Sequence, residues 1–339
     1  MESPLGRIEF GGPDLPPRRL RDLLQDQVDQ SPSGSRIDWA TYYFRDRALA
    51  EALMRASDRG VQVRLVMEGE PRRKGANDAV ASMLSSHGLN GGFHLYRSRS
   101  KPFGRLHSKI YAFSHPDVAW IGSFNPSGDE PEDADVIAEI GDQDRGHNLL
   151  LGIERPKLTK ALRDEVGRLT NPPAARKWLP SNNWAVRDGD TRLYFFPRAL
   201  SLVAEPPIAL LNKRGRLRGA ISHLKKSPLS RVLYFAAKRG GQVDLLVHDT
   251  ERRVPTHLVA RLEDAGVKIR RVAHPDGLPM HAKFLLIERG GRTTAWLGSY
   301  NFNEKSRLRN AEVLLRTSDK AIVEALSRRF DQIAAMARS

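Results

Sequence analysis

The 339-residue sequence contains no cysteine. This excludes disulfides, thiolate metal centres and a cysteine nucleophile, and it fits a reducing cytoplasm. Aromatic residues are scarce, at 7%, and no stretch interleaves aromatic with basic residues into a platform for stacking bases. No apolar run approaches the length of about 18 residues that a membrane-spanning helix needs, so membrane contact is expected to be peripheral at most. The start, Met1-Glu2-Ser3-Pro4-Leu5-Gly6-Arg7, lacks a basic region followed by an apolar run, and no signal peptide is expected. Negative charge is in deficit: 40 Asp and Glu face 55 Lys and Arg, a net charge of +15. Such a surplus calls for an anionic partner, either an anionic membrane surface or nucleic acid. Hydrophobic residues, at 40%, suffice for one large or two medium folded cores.

The chain repeats itself once. Arg59-Gly60-Val61-Gln62-Val63 returns as Arg239-Gly240-Gly241-Gln242-Val243, an offset of 180 residues. His107-Ser108-Lys109 returns as His281-Ala282-Lys283, an offset of 174, and Gly122-Ser123-Phe124-Asn125 as Gly298-Ser299-Tyr300-Asn301, an offset of 176. Three landmarks in one order at nearly one offset mean two copies of one unit, with a period too long for a solenoid. The expected architecture is α/β: two tandem lobes, each a mixed sheet flanked by helices, arranged as a pseudo-dimer. The lobes are placed at 1–175 and 191–339, with a linker over 176–190 around Ser181-Asn182-Asn183.

Within the first copy, periodicity predicts strands at Ile37–Tyr43, Val61–Met67, Phe93–Tyr96, Lys109–Phe113 and Val118–Ile121. Helices are predicted at Arg47–Arg59 and Asp78–His87. In the second copy, strands are predicted at Arg231–Ala236, Val243–His248, Val267–Val272, Phe284–Glu288 and Thr294–Leu297, and helices at Thr256–Ala265 and Lys320–Arg338. The cluster Lys213-Arg214-Gly215-Arg216-Leu217-Arg218 with Lys225-Lys226 reads either as a solvated helix face or as a phosphate or lipid-headgroup contact.

A duplicated set of His, Lys, Ser and Asn suits a phosphodiester. If the two lobes meet about a two-fold axis, His107 and His281 face one scissile bond. One imidazole attacks phosphorus and the other manages the leaving-group proton. Lys109 and Lys283, two residues after each His, lie on the same side of an extended segment and can neutralise non-bridging oxygens. Asn125 and Asn301 can donate N–H groups to the same oxygens, and Ser123 and Ser299 can add hydroxyl or backbone contacts. A nucleophilic His needs an acidic partner on its far nitrogen. Glu312 is the candidate in the second copy and Asp135 in the first, with Asn148 as a competing anchor. Of the other histidines, His94, His223, His248, His257 and His274 read as surface or structural residues. His115 lies in a turn, and His147 falls near the edge of the site.

These residues resemble the phospholipase D superfamily, whose signature is H-x-K-x4-D followed by G-S-x-N. The resemblance spans nearly the whole chain. It implies metal-independent phosphodiesterase or phosphatidyltransferase chemistry through a covalent phosphohistidine, with no cofactor. It also implies His107 as nucleophile, His281 as general acid, and Lys109 and Lys283 as phosphate ligands. The motif aspartate is missing: Ser114 and Glu288 stand in its place. From Gly298 to Glu312, the pattern G-S-x-N, then Lys305-Ser306-Arg307, then Asn310-Ala311-Glu312 is similar to cardiolipin and phosphatidylserine synthases of the superfamily. A phospholipid substrate is the first expectation. A nuclease acting on DNA or RNA is the alternative, and an inactive binding relative is a second one. A monomer suffices to build the site.

Overall fold

The computed structural model describes residues 5–97, 104–127, 142, 144–171, 185–198 and 200–337. Two mixed sheets carry the described residues. The first has seven strands: β1 (Gly6–Gly11), β2 (Arg36–Thr41), β3 (Gln62–Glu68), β4 (Phe93–Tyr96), β5 (Ile110–Ser114), β6 (Asp117–Gly122) and β7 (Asn148–Ile153), in the order β1-β7-β6-β5-β2-β3-β4. The second has eight: β8 (Val186–Asp188), β9 (Thr191–Phe196), β10 (Arg216–Ile221), β11 (Gln242–His248), β12 (Val267–Val272), β13 (Lys283–Arg289), β14 (Arg292–Gly298) and β15 (Glu312–Thr317), in the order β12-β11-β10-β13-β14-β15-β9-β8. The same scheme runs through both: β2, β3 and β4 are parallel, as are β10, β11 and β12, and the remaining pairs are antiparallel. The repeat in the sequence is therefore a repeat in topology. Strand β8 falls inside the stretch read as linker and forms the edge of the second sheet.

The central strands read as nearly unbroken apolar runs because both of their faces are covered. On β5, Ile110 and Ala112 enter a core shared by the two sheets, while Tyr111 and Phe113 turn to helices on the outer face. On β13, Phe284 and Leu286 enter the shared core, while Leu285 and Ile287 face outward. This period of two sorts side chains into three layers of packing. The shared core also receives Leu158, Leu162 and Val166 of the helix Pro156–Leu169, and Ile322, Leu326, Phe330 and Ile333 of the helix Lys320–Met336. Arg329 of the latter helix, 2% exposed, donates two hydrogen bonds to Asp14, at 2.6 and 2.9 Å, tying this helix to the turn that follows β1.

Local signals set the helix limits. Asp46 Oδ1 accepts from Leu49 N at 2.8 Å to open the helix Arg47–Asp58, and Gly60, at φ 89°, carries the left-handed turn that follows it. One expectation is overturned. Arg231–Ala236 is not a strand but part of the helix Pro228–Lys238, opened by a Ser227/Ser230 capping box with Pro228 in its first turn. The β-branched Val232 and the aromatic Tyr234 and Phe235 mislead, because burial of Leu229, Leu233 and Ala237 at helical spacing outweighs intrinsic strand preference. The second copy's first parallel strand is β10 instead, so the basic run Arg216-Leu217-Arg218 starts a strand rather than a helix face.

Candidate active site

The ends of the sheets meet at a seam, and backbone pairing across it builds the site. The segment before β5 crosses to the second half: His107 N donates to Ala311 O at 2.8 Å and Ala311 N to Arg105 O at 2.9 Å. The segment before β13 makes the mirror crossing: His281 N donates to His147 O at 3.0 Å and His147 N to Pro279 O at 2.9 Å. Each motif histidine thus lies beside the residue that opens the other half's last central strand, Glu312 for His107 and Asn148 for His281. The expected pairing of Glu312 within its own copy is replaced by a pairing across copies.

His107 Nδ1 meets Glu312 Oε2 at 2.9 Å. The carboxylate is wholly buried and also accepts from Ser299 Oγ at 2.5 Å and Ser306 Oγ at 2.6 Å. His281 Nδ1 meets Asn148 Oδ1 at 3.0 Å, and Ser123 Oγ donates to the same oxygen at 2.9 Å. The motif serines therefore hold the residues behind the imidazoles. The glycine before each serine is required by close approach: a Cβ on Gly122 would lie 2.1 Å from Leu149 O, and on Gly298 2.3 Å from Val313 O. Those carbonyls accept from Ser123 N and Ser299 N, both at 3.0 Å. Asp135 lies outside the described residues.

Lys109 and Lys283 are fully buried beneath the histidines, and each Nζ donates to the carbonyl of its own motif histidine, at 2.7 and 2.6 Å. Burial drives Lys109 down to about 7 against the pull of Glu312. It drives Lys283 well below the lysine range, aided by Lys109 and Arg253. His107 is held at about 4, burial prevailing over the opposing Glu312 carboxylate. His281 is lowered by burial and by Lys283, Arg253, Lys109 and His107. Burial pushes Glu312 up, but His107, Lys109 and Ser299 overcome it and hold the carboxyl below its usual range. Both imidazoles are therefore neutral at pH 7, and burial together with the neighbouring basic groups disfavours further positive charge in the site.

Both histidines, Asn125 and Asn301 line one cavity of about 460 Å³. Among the described residues its wall carries Arg72, Arg105, Lys225, Lys226, Arg252, Arg253, Lys305 and Arg309, against a single carboxylate, Glu304. Tyr42 stands over the first motif, with its ring centre 5.1 Å from that of His107 and 5.3 Å from Lys109 Nζ. Lys225 and Lys226 line this cavity, while Lys213 and Arg214 line a separate shallow hollow. His223, read as surface or structural, lines the cavity, and its buried Nδ1 has no hydrogen-bond partner among the described residues. A signal for the wall was present: Arg72-Arg73 and Arg252-Arg253 recur at the 180-residue offset of the repeat.

Glu68, 2% exposed, braces the first motif: Oε2 accepts from Leu106 N at 2.6 Å and Oε1 from Glu70 N at 2.8 Å. Burial raises its carboxyl to about 7. Because the folded chain holds this proton more tightly than the unfolded one, the contribution to stability is full below about pH 4.5 and is lost as pH rises through about 7. Glu68→Gln is expected to flatten that decline, worth at most about 3 kcal/mol, in melting curves taken from pH 5 to 8. Equal pH slopes for the two proteins contradict the assignment.

A family model described as "Cardiolipin synthase, PLD-like domain" matches residues 27–137 and 208–334, one segment in each half. The chain belongs to this phospholipase D-like family. In sequence it is 30% identical to the polyphosphate kinase of Escherichia coli strain K12 over 213 residues, 56% of this chain and 29% of the kinase. It is 31% identical to that of Klebsiella pneumoniae over 165 residues, 44% of this chain and 23% of the kinase. The chain thus spans less than a third of the length of these curated relatives. Among solved structures, the phosphatidylserine synthase of Haemophilus influenzae superposes with a TM-score of 0.68 at 14% identity, covering 97% of this chain and 86% of that one. The polyphosphate kinase of Porphyromonas gingivalis superposes with a TM-score of 0.64 at 14% identity, covering 97% and 50%. These two likenesses show a shared fold. Members of the phospholipase D-like superfamily are phosphodiesterase-type enzymes. Among the described residues of this one, no helix is long and apolar enough to cross a membrane.

Proposed function

We propose that this protein is a metal-independent phosphatidyltransferase or phospholipase D-type phosphodiesterase that works through a phosphohistidine. One observation carries the reading: two imidazoles from opposite halves line one cavity above two buried lysines, and a buried carboxylate backs one of the rings. His107 Nε2 is the nucleophile, because Glu312 fixes the proton on Nδ1 and stabilises the positive ring that forms on attack. His281 handles the proton of the exchanging oxygen. Lys109, Lys283, Asn125 and Asn301 bind the non-bridging oxygens, and Ser123 and Ser299 position the groups behind the rings. The division into lobes 1–175 and 191–339 is part of the proposal, with each lobe supplying one histidine.

A phospholipid at an anionic membrane surface is the favoured substrate. The family description supports it, as do Leu200 and Leu202, 72% and 47% exposed, beside the cavity-lining helix Glu304–Leu308, where Arg307 Nη1 donates to Ser201 Oγ at 3.0 Å. The eight-cation wall favours a second reading, in which the substrate is a longer polyanion such as nucleic acid or polyphosphate. The test presents anionic vesicles with labelled headgroup, single- and double-stranded DNA, and polyphosphate, each with excess EDTA and with added glycerol as acceptor. Headgroup release or exchange from vesicles alone is the expected result, undiminished by EDTA and weakening as salt rises. Turnover that EDTA abolishes defeats the mechanism, and cleavage of DNA or polyphosphate alone moves the substrate to the second reading.

A further inference from the structure

The internal repeat makes one half the reference for the other. Helices Arg19–Asp29 and Arg47–Asp58 cover the outer face of the first sheet, and Glu205–Ala209 and Pro228–Lys238 take those places on the second. One pair of equivalent bonds fixes the register at 180 residues: Arg59 Nη2 donates to Asp29 O at 3.3 Å, and Arg239 Nη2 to Ala209 O at 2.6 Å. On this matched scaffold the surfaces differ. In the first half an ion pair joins the two helices, Arg55 to Asp29 at 3.8 Å. The same two positions in the second half hold Phe235, 49% exposed, and Ala209. Gln30 is replaced by Leu210, 55% exposed, Glu51 by Arg231 and Asp58 by Lys238. With Leu200 and Leu202, which lead into the short helix, this stretch holds four of the six large apolar side chains that the described residues expose. Between Glu205 and Asp244 the chain carries nine Lys and Arg and no Asp or Glu, whereas the matching stretch between Gln25 and Arg64 carries five basic and six acidic residues. Among the described residues, Lys213, Arg214, Arg231 and Lys238 make no ion pair. Folding does not require such a surface, because the first half builds the same layer with a polar, nearly neutral one.

We propose that the face formed by Glu205–Ala209 and Pro228–Lys238 docks on an anionic lipid bilayer, with Leu210 and Phe235 at the acyl boundary and Lys213, Arg214, Arg231 and Lys238 among the headgroups. The choice of an anionic bilayer as partner rests on the function proposed above. Apolar insertion beside a basic rim is the chemistry of an interfacial contact. A nucleic acid satisfies the cations but leaves the leucines in water, and a second copy of the face sets like charges against each other. The face borders the cavity. Lys225 and Lys226, just ahead of Pro228–Lys238, line it, and Arg307 of the cavity-lining helix Glu304–Leu308 donates to Ser201 Oγ at 3.0 Å. A docked chain thus holds its cavity at the edge of the lipid contact.

The test uses the full chain, which has no cysteine, so Leu210→Cys and Gln30→Cys each accept one fluorophore at matching points of the two halves. Vesicles of phosphatidylcholine, with or without phosphatidylglycerol, carry a nitroxide quencher in their acyl chains. Quenching of the label at position 210 but not at position 30 is expected, only with phosphatidylglycerol, and fading as salt rises. Phe235→Ser is expected to weaken vesicle binding by about tenfold or more. Lys213→Glu and Arg231→Glu are each expected to weaken it by about fivefold or more. Turnover of a soluble aryl phosphodiester should be unchanged in all three. Equal quenching at both positions overturns the proposal, as does binding to DNA but not to vesicles. Vesicle binding that survives Phe235→Ser and Arg231→Glu combined in a folded protein overturns it too. Quenching at position 210 with no turnover of vesicle lipid upholds the docking face and defeats the phospholipid substrate. Turnover of vesicle lipid that the face variants leave unchanged does the reverse.

Discussion

Alanine at position 107 is expected to abolish the covalent phosphoenzyme and to lower turnover by about 10⁴-fold or more, the scale seen when a nucleophile is removed from a unit that acts together. His281→Ala is expected to behave differently. With an aryl phosphodiester, whose phenolate leaves without a proton, attack by His107 asks nothing of His281, so the phosphoenzyme still forms, whereas its discharge loses the base that activates the acceptor. The variant should accumulate an acid-labile, alkali-stable label on His107 with a burst close to one per chain and a slow steady state. Rapid-quench labelling with a phosphorus-labelled substrate separates the two variants. Labelling that survives in His107→Ala and vanishes in His281→Ala reverses the roles assigned to the halves.

Glu312→Gln carries the second large effect. It places an amide behind both imidazoles, making the second half like the first, and removes the charge that stabilises the ring as it is phosphorylated. A fall in kcat of about 10³- to 10⁴-fold is expected, by comparison with the loss when an amide replaces the carboxylate behind a catalytic histidine. The fold should survive, because the Gln oxygen can still accept from His107 and Ser299 while its NH2 donates to the Ser306 hydroxyl oxygen. Glu312→Ala is the contrast. It leaves the buried donors of His107, Ser299 and Ser306 without an acceptor, and on the order of 3 kcal/mol or more of stability goes with it. The pH profile distinguishes orientation from simple packing. The carboxylate raises the His107 value against burial, which holds it at about 4, so in Glu312→Gln the acid limb of kcat/KM should move to lower pH. An acid limb that stays in place, with kcat within tenfold of the wild type, removes Glu312 from the mechanism.

Much of this arrangement was legible in the chain, and the misses have physical causes. The helix at Pro228–Lys238 was hidden by its aromatic and β-branched residues, although Ser227-Pro228 at its start and the 180-residue register with Arg47–Asp58 both point to a helix. The arginine wall escaped notice because Arg72-Arg73 and Arg252-Arg253 are unremarkable in a chain with a net charge of +15, and only the repeat register sets them apart. His223 was passed over because its counterpart at the same register is Tyr43, so the duplication supplied no matching histidine. The serines of the two G-S-x-N motifs and the residues they hold, Glu312 and Asn148, are each visible in the sequence, but the hydrogen bonds between them are not. A hydroxyl two bonds from the backbone can face a ligand or the residue behind it, and spacing along the chain does not distinguish the two.

By itself the sequence determined that there are two copies of one α/β unit, that each carries an H-x-K triplet followed by G-S-x-N, and that the chain bears a net charge of +15. Those properties are local or periodic: they depend on side-chain identity at short spacing and on the recurrence of that spacing. Only the tertiary structure decided that Glu312 stands behind His107, 205 residues away in the chain, and Asn148 behind His281, 133 residues away. That exchange follows from backbone pairing across the seam, where each motif strand borrows its neighbour from the opposite half, and such long-range pairing leaves no trace in the spacing of residues along the chain.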